Sequence, residues 1–202
     1  MTAMKALAFC LLLAVSQELS AQTYSFDVWH KGKVVVAGWD TLRGLIKYGS
    51  ESTLQLMRDG NIETYDAEKV VSFEIQDESY KRTRQFYSLR YGAAEANKYF
   101  FFELLSYGKV TVLSREAIEI KTLSQGTDMA PPKKHHVLVE KYFLWDKRNA
   151  VASFRGRPKD WNELLVERIS DVNGYIKQRR LNLRNKYDVK QIIDFYNSFF
   201  NP

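Results

Sequence analysis

Between Gly32 and Phe154 apolar and polar residues alternate with a period of two, the signature of half-buried strands. Val34-Val35-Val36 is β-branched, and Gly38-Trp39-Asp40 reads as a turn. Beyond it, Leu42, Gly44, Ile46 and Tyr48 fall on one side, with Arg43, Leu45 and Lys47 on the other. Leu54, Leu56 and Arg58 lead into Asp59-Gly60, a strong hairpin signal because both central residues of the favoured turn take positive φ. Val71, Phe73 and Ile75 alternate with Ser72, Glu74 and Gln76. From Arg82 to Tyr91, Thr83, Gln85, Tyr87, Leu89 and Tyr91 oppose Arg82, Arg84, Phe86, Ser88 and Arg90. Tyr99 to Tyr107 (YFFFELLSY) is apolar on both sides, as in a strand covered on both faces. Val110–Leu113 starts another strand, and Val137–Trp145 with Val151–Phe154 form a hairpin around Lys147-Arg148-Asn149. The pattern predicts eight or nine strands in a meander or partly rolled sheet.

The period then changes to that of helices. Pro158 suits a first helical turn, and Trp161, Leu164, Leu165 and Ile169 follow helical spacing. Ser170-Asp171 can cap a second helix carrying Val172, Tyr175 and Ile176, in which Gly174 costs about 1 kcal/mol relative to alanine. Asp188 and Gln191 resemble a capping box before the stripe Val189, Ile192, Ile193 and Tyr196. Strands followed by helices predict an α+β fold: an antiparallel sheet of eight or nine strands with two or three C-terminal helices, over about residues 157–200.

The first 21 residues break both patterns. Lys5 precedes a ten-residue apolar run, Ala6 to Val15, followed by a polar stretch rich in small residues. That is the form of a secretory leader, and the run is too short to span a bilayer. Cleavage fits after Ala21 or after Ser16, and Ala21 leaves the polar Gln22-Thr23 first. The expected mature chain, 22–202, is one domain by length, exported to the periplasm or outside the cell. It would lack cysteine, because Cys10 is the one cysteine of the sequence, and this suits an oxidising compartment. No later apolar stretch has the length of a membrane helix. A helical, charged last third also argues against an outer-membrane barrel.

Candidate chemistry is sparse. The chain has no G-x-S-x-G, H-E-x-x-H, Walker or G-x-G-x-x-G motif. Its three histidines are His30 and the adjacent pair His135-His136, whose side chains oppose each other on a strand, so no metal or cofactor is expected. Glu103 lies inside the apolar YFFFELLSY and needs a partner or a raised pKa. It is an ion pair with an arginine of a neighbouring strand, a residue turned toward solvent, or a general acid/base. Arg82, Arg84 and Arg90 share one strand side and, if exposed together, could clamp an anion. Thr122 to Lys134, with Pro131-Pro132, reads as an exposed loop. Residues 22–132 hold 14 basic and 15 acidic groups, whereas 133–202 hold 15 and 8. The densest basic run is Lys177 to Lys186, which as one helix would align Lys177, Arg180 and Arg184. In an exported protein such a face suits anionic lipid or acidic glycan, not nucleic acid.

Lys33-Val-Val-Val, Trp39 to Tyr48, Val70 to Ile75, Arg84 to Tyr87 and Asp194 to Ser198 resemble segments of uncharacterised exported β-rich proteins of Gram-negative envelopes. The resemblance implies an exported β-rich domain with a helical tail and assigns no site residue. The resulting expectation is a non-enzymatic binding or interaction domain. Arg82, Arg84, Arg90 and Glu103 are its candidate ligand contacts, and its candidate partners are anionic lipid, glycan or another envelope protein. The alternative is a hydrolase-type enzyme using Glu103 as general acid/base.

Overall fold

The computed structural model describes residues 25–49, 52–92, 98–122 and 134–200. The leader and the core of the Pro131-Pro132 loop lie outside the described residues. Ten strands follow one another: β1 (His30–Val36), β2 (Thr41–Tyr48), β3 (Thr53–Arg58), β4 (Asn61–Asp66), β5 (Val70–Asp77), β6 (Arg82–Tyr91), β7 (Lys98–Ser106), β8 (Val112–Thr122), β9 (Lys134–Trp145) and β10 (Val151–Phe154). They make one open antiparallel sheet in the order β10-β9-β8-β7-β6-β5-β1-β2-β3-β4. Three helices close the chain: α1 (Pro158–Leu164), α2 (Ile169–Arg179) and α3 (Lys186–Ser198). This is the α+β meander with a helical end that the change of period predicts. β4 is the strand its pattern hides: it is an edge strand, largely exposed, with little apolar period. The turn before it has Asp59 at φ 49° and Gly60 at φ 80°, as the hairpin signal requires.

The sheet buries apolar side chains on both faces. On one face, Val34, Ile46, Tyr48, Leu54, Phe73, Phe86 and Phe101 pack across β1 to β7. Further along that face, α1, α2 and α3 bring Trp161, Val172, Val189, Ile192, Ile193 and Tyr196 onto Leu105, Val112 and Tyr142. On the opposite face, Phe102, Leu113 and Phe143 pack with Leu89, Tyr91, Phe100 and Trp145. β10 curls back toward β6 across the three strands between them. The Tyr91 and Phe143 rings lie 5.1 Å apart, and those of Tyr87 and Trp145 5.4 Å apart, so this half of the sheet rolls around its own aromatic cluster. The middle of YFFFELLSY, Phe101 to Ser106, is therefore covered on both sides, as its composition predicts, whereas Tyr107 lies beyond the strand and is 75% exposed.

Helix boundaries depart from expectation where side chains compete for backbone groups. α3 begins two residues earlier than the Asp188 signal, because the Asn185 side chain accepts from the Tyr187 and Asp188 amides. Ser170 and Asp171 lie inside the first turn of α2, not at its cap. The run Lys177 to Lys186 is not one helix: Arg180 adopts φ 53° and ends α2. Lys177, Arg180 and Arg184 thus belong to a helix end and a turn, and only Lys177 is helical.

Asn197 anchors α3 to the turn between β7 and β8. Its Nδ2 donates to the Val110 carbonyl (2.8 Å) and to Ser106 Oγ (3.1 Å), and its Oδ1 accepts from the Val110 amide (2.9 Å). Gly108 is required there, because a Cβ would stand 2.7 Å from the Asn197 side chain. Replacing Asn197 by alanine strands buried backbone groups and is expected to destabilise the fold by about 2–4 kcal/mol in urea unfolding. A loss below about 0.5 kcal/mol would show the contact to be dispensable.

Candidate functional site

Strand pairing lines up four carboxylates and one guanidinium on the helix-covered face. Ile75 pairs with Arg84, Phe86 with Glu103, Glu103 with Ser114, Ser114 with Tyr142, and Glu116 with Glu140. Arg84 therefore points into the fold. It is 2% exposed and donates to Asp77 (3.1 Å), Glu103 (2.8 Å) and Glu116 (2.9 Å). Its guanidinium also faces the Phe86 ring at 5.1 Å. From the opposite side, the first residue of α3 adds a second cation. Lys186 Nζ lies 2.9 Å from Glu103, 3.0 Å from Glu116 and 3.1 Å from Glu140. Tyr187, the next residue, stacks beneath the exposed Arg82 guanidinium at 3.6 Å.

Buried charges persist only when paired and hydrogen-bonded. Burial alone would lower the pKa of Arg84 and Lys186, but facing carboxylates, Glu103 foremost, outweigh it and raise both. The cations are thus locked in the charged state. Among the described residues the network joins two cations to four carboxylates: Asp77, Glu103, Glu116 and Glu140. Glu140 bears the mismatch. Burial, with the Glu116 charge opposite, raises its pKa despite the counteracting Lys186. Lys186 holds Glu140 Oε2, and the Ser114 side chain hydrogen-bonds the same carboxyl group. Tyr142, beside it, is 8% exposed, and its hydroxyl has no hydrogen-bond partner among the described residues. Burial pushes the Tyr142 pKa up to about 12, and the Glu140 charge adds to the shift.

Glu140 and Tyr142 border a cavity of about 760 Å³ at the edge of β9, where short β10 stops pairing. Tyr91, Phe143 and Phe154 supply aromatic surface, Ala117 and Ile118 aliphatic surface, and Glu116, Arg115, Lys141 and Arg155 charge. Arg115 stacks on Phe100 at 4.3 Å, and burial lowers its pKa. Lys141 is paired with Glu119 at 2.9 Å. Burial of apolar walls around a few convergent polar groups, at this volume, is the character of small-molecule sites.

The residues singled out from sequence divide between this network and the surface. Arg84 and Glu103 meet in the buried ion pair. Glu103 is 4% exposed and does not line the cavity. Arg82 and Arg90 share the strand side of Arg84 but sit at its exposed ends, stacked on Tyr187 and on Tyr99 (5.0 Å). The three do not form a joint exposed clamp, because Arg84 is consumed by carboxylates inside. His135 and His136 are exposed on β9. Glu116, Glu140, Tyr142 and Lys186 were not singled out by sequence. Their proximity depends on the β8–β9 register and on where α3 lands; the available signal was two acids on matching sides of adjacent strands. No family model, curated protein or solved structure matches this chain.

Two outcomes follow from the charge arrangement. Arg84→Ala leaves buried carboxylates uncompensated and is expected to cost about 3–5 kcal/mol in chemical unfolding, far beyond a surface arginine. Glu140→Gln tests the mismatch. A carboxyl whose folded pKa exceeds its unfolded one stabilises the fold fully below the unfolded value, and that contribution fades as pH rises through the folded value. The Tm of the variant should match wild type near pH ~4 and exceed it increasingly as pH rises through the raised value. A Tm difference independent of pH would contradict the raised pKa.

Proposed function

We propose that this chain is a non-enzymatic binding protein of the cell envelope or exterior, delivered by a cleaved leader, that holds a small ligand in the cavity at the β9 edge. The observation that carries the reading is the cavity itself: about 760 Å³, lined by Tyr91, Phe143 and Phe154 and by charged residues of β8 and β9 around the strand edge. Volumes of roughly 300–1,000 Å³ with apolar walls and few fixed polar groups are typical of ligand sites. Export rests on Lys5 and the short apolar run Ala6 to Val15. Glu103, bound by Arg84 and Lys186 behind the cavity, acts as a structural counter-ion in this reading, and proton transfer to a substrate is not assigned to it. The rolled half of the sheet provides a rigid frame, and rigid frames hold ligands with little ordering cost.

Native mass spectrometry of the protein purified from its producing cells tests both parts. The expected spectrum shows a polypeptide beginning at Gln22 and carrying a releasable small-molecule mass. Ala117→Trp, which fills the cavity, should lose that mass while keeping the wild-type circular dichroism. A polypeptide retaining Met1 would contradict export. A bare wild-type mass, or an adduct indifferent to Ala117→Trp, would contradict the binding cavity.

A further inference from the structure

The sheet register decides which charged side chains of the cavity lining share its aromatic side. Paired residues of neighbouring antiparallel strands stand on one face, and alternate residues of a strand take opposite faces. Arg115 pairs with Lys141, and Phe143 pairs with Leu113 and with Ser153. Arg115, Lys141 and Ser153 therefore stand on the face of the Phe102, Leu113 and Phe143 cluster, where Tyr91 packs on Phe143. Glu116 and Glu140, one residue out of step, take the helix-covered face, where Lys186 binds both. Arg155, just past β10, adds a third cation to the lining. Among the described lining residues, the aromatic side of the cavity thus carries cations and no acid.

Each of these cations has donors to offer. Arg115 is half-buried with its guanidinium over the Phe100 ring at 4.3 Å. A guanidinium carries five donors in a fixed fork, so it can keep its present contacts and still receive a ligand oxygen. Burial lowers its pKa, a cost that an anion in the cavity offsets. Lys141 is tied to Glu119 by a pair of half-exposed side chains, and such surface pairs are weak enough to exchange. Arg155 is exposed and makes no ion pair among the described residues; Asp160, whose pKa its charge helps to lower, is held by Arg157.

Resting on the binding reading above, we propose that the cavity takes an amphiphilic anion: an apolar body against Tyr91, Phe143 and Ala117, and an oxyanion head received by Arg115 and Arg155. The head is a carboxylate or a phosphate, since guanidinium forks bind the oxygens of either two at a time. Lys141, at the same face, adds positive charge that draws the anion from solution. The acids that border the cavity do not oppose it, because Lys186 holds Glu116 and Glu140 on the other face of the sheet. The aromatic wall gives the body its share of the binding, so an oxyanion without a hydrocarbon part is a poor ligand.

Isothermal titration of the purified protein with probes of one body and different heads tests this: 3-phenylpropanoate, 2-phenylethyl phosphate, 2-phenylethanol and 2-phenylethylammonium, with inorganic phosphate as the head alone. The expected result is that one or both anionic probes bind about tenfold or more tighter than the alcohol, the usual weight of a charge-assisted hydrogen bond. The tighter of the two identifies the head. Added salt should weaken the anions and leave the alcohol unchanged. Arg115→Gln should weaken the anions about tenfold and spare the alcohol. Arg155→Gln, at an exposed position, should weaken them several-fold and provides the test should Arg115→Gln fold poorly. Equal or tighter binding of the alcohol or the ammonium overturns the anion assignment; the cavity reading stands if Ala117→Trp abolishes that binding. Anion binding indifferent to both arginine variants overturns the assignment as well. Inorganic phosphate binding as tightly as the phosphate ester overturns the amphiphile. So does failure of every probe to bind, with the cavity reading then decided by the native mass measurement.

Discussion

Six charged side chains in a protein interior are the constraint around which this fold is arranged. Arg84 alone could not be buried at 2% exposure; it is tolerable because Asp77, Glu103 and Glu116 receive its donors. Those acids in turn require Lys186, so the first turn of α3 is tied to the middle of the sheet. The network joins the two apolar clusters of one sheet face. Arg84 lies against Phe86 of the first, and Lys186 opens the helix whose Val189, Ile192 and Tyr196 build the second. Buried ion pairs are weak evidence of net stability, yet removing one partner strands the other charge and is strongly destabilising. Here they fix where the helices land on a sheet that offers apolar surface on both faces.

That landing sets the chemistry at the β9 edge. Once α3 delivers Lys186 to Glu103, Glu116 and Glu140, the last of these keeps the most exposed side chain of the three, at the border of the cavity. β10 ends at Phe154 and leaves the preceding part of β9 without a neighbour on that side among the described residues. Packing and charge thus meet in one place: a cavity with aromatic walls, bordered by a carboxyl whose pKa burial raises.

Much of the fold was legible because a half-buried strand must alternate. Leu42 to Tyr48 and Arg82 to Tyr91 announced themselves, and Asp59-Gly60 named its hairpin. β4 did not, because an exposed edge strand has no need of apolar periodicity. The end of α2 at Arg180 was hidden too, since a non-glycine left-handed cap leaves no compositional mark. At the site, Glu103 was conspicuous: an acid in an apolar strand demands a partner, and Arg84 is that partner. Lys186 was camouflaged by a basic run that resembles a solvated surface. Glu116 and Glu140 became neighbours through the register of a long hairpin, which local pattern does not fix.

The central claim, that among the described residues the buried network carries more carboxylates than cations and that Glu140 absorbs the difference, is most directly tested by carbon-13 NMR titration of the Glu140 carboxyl, assigned by its loss in Glu140→Gln. The account predicts a midpoint clearly above that of an unstructured glutamate. A midpoint at or below the unstructured value would mean that the network is balanced as it stands, and would contradict the account.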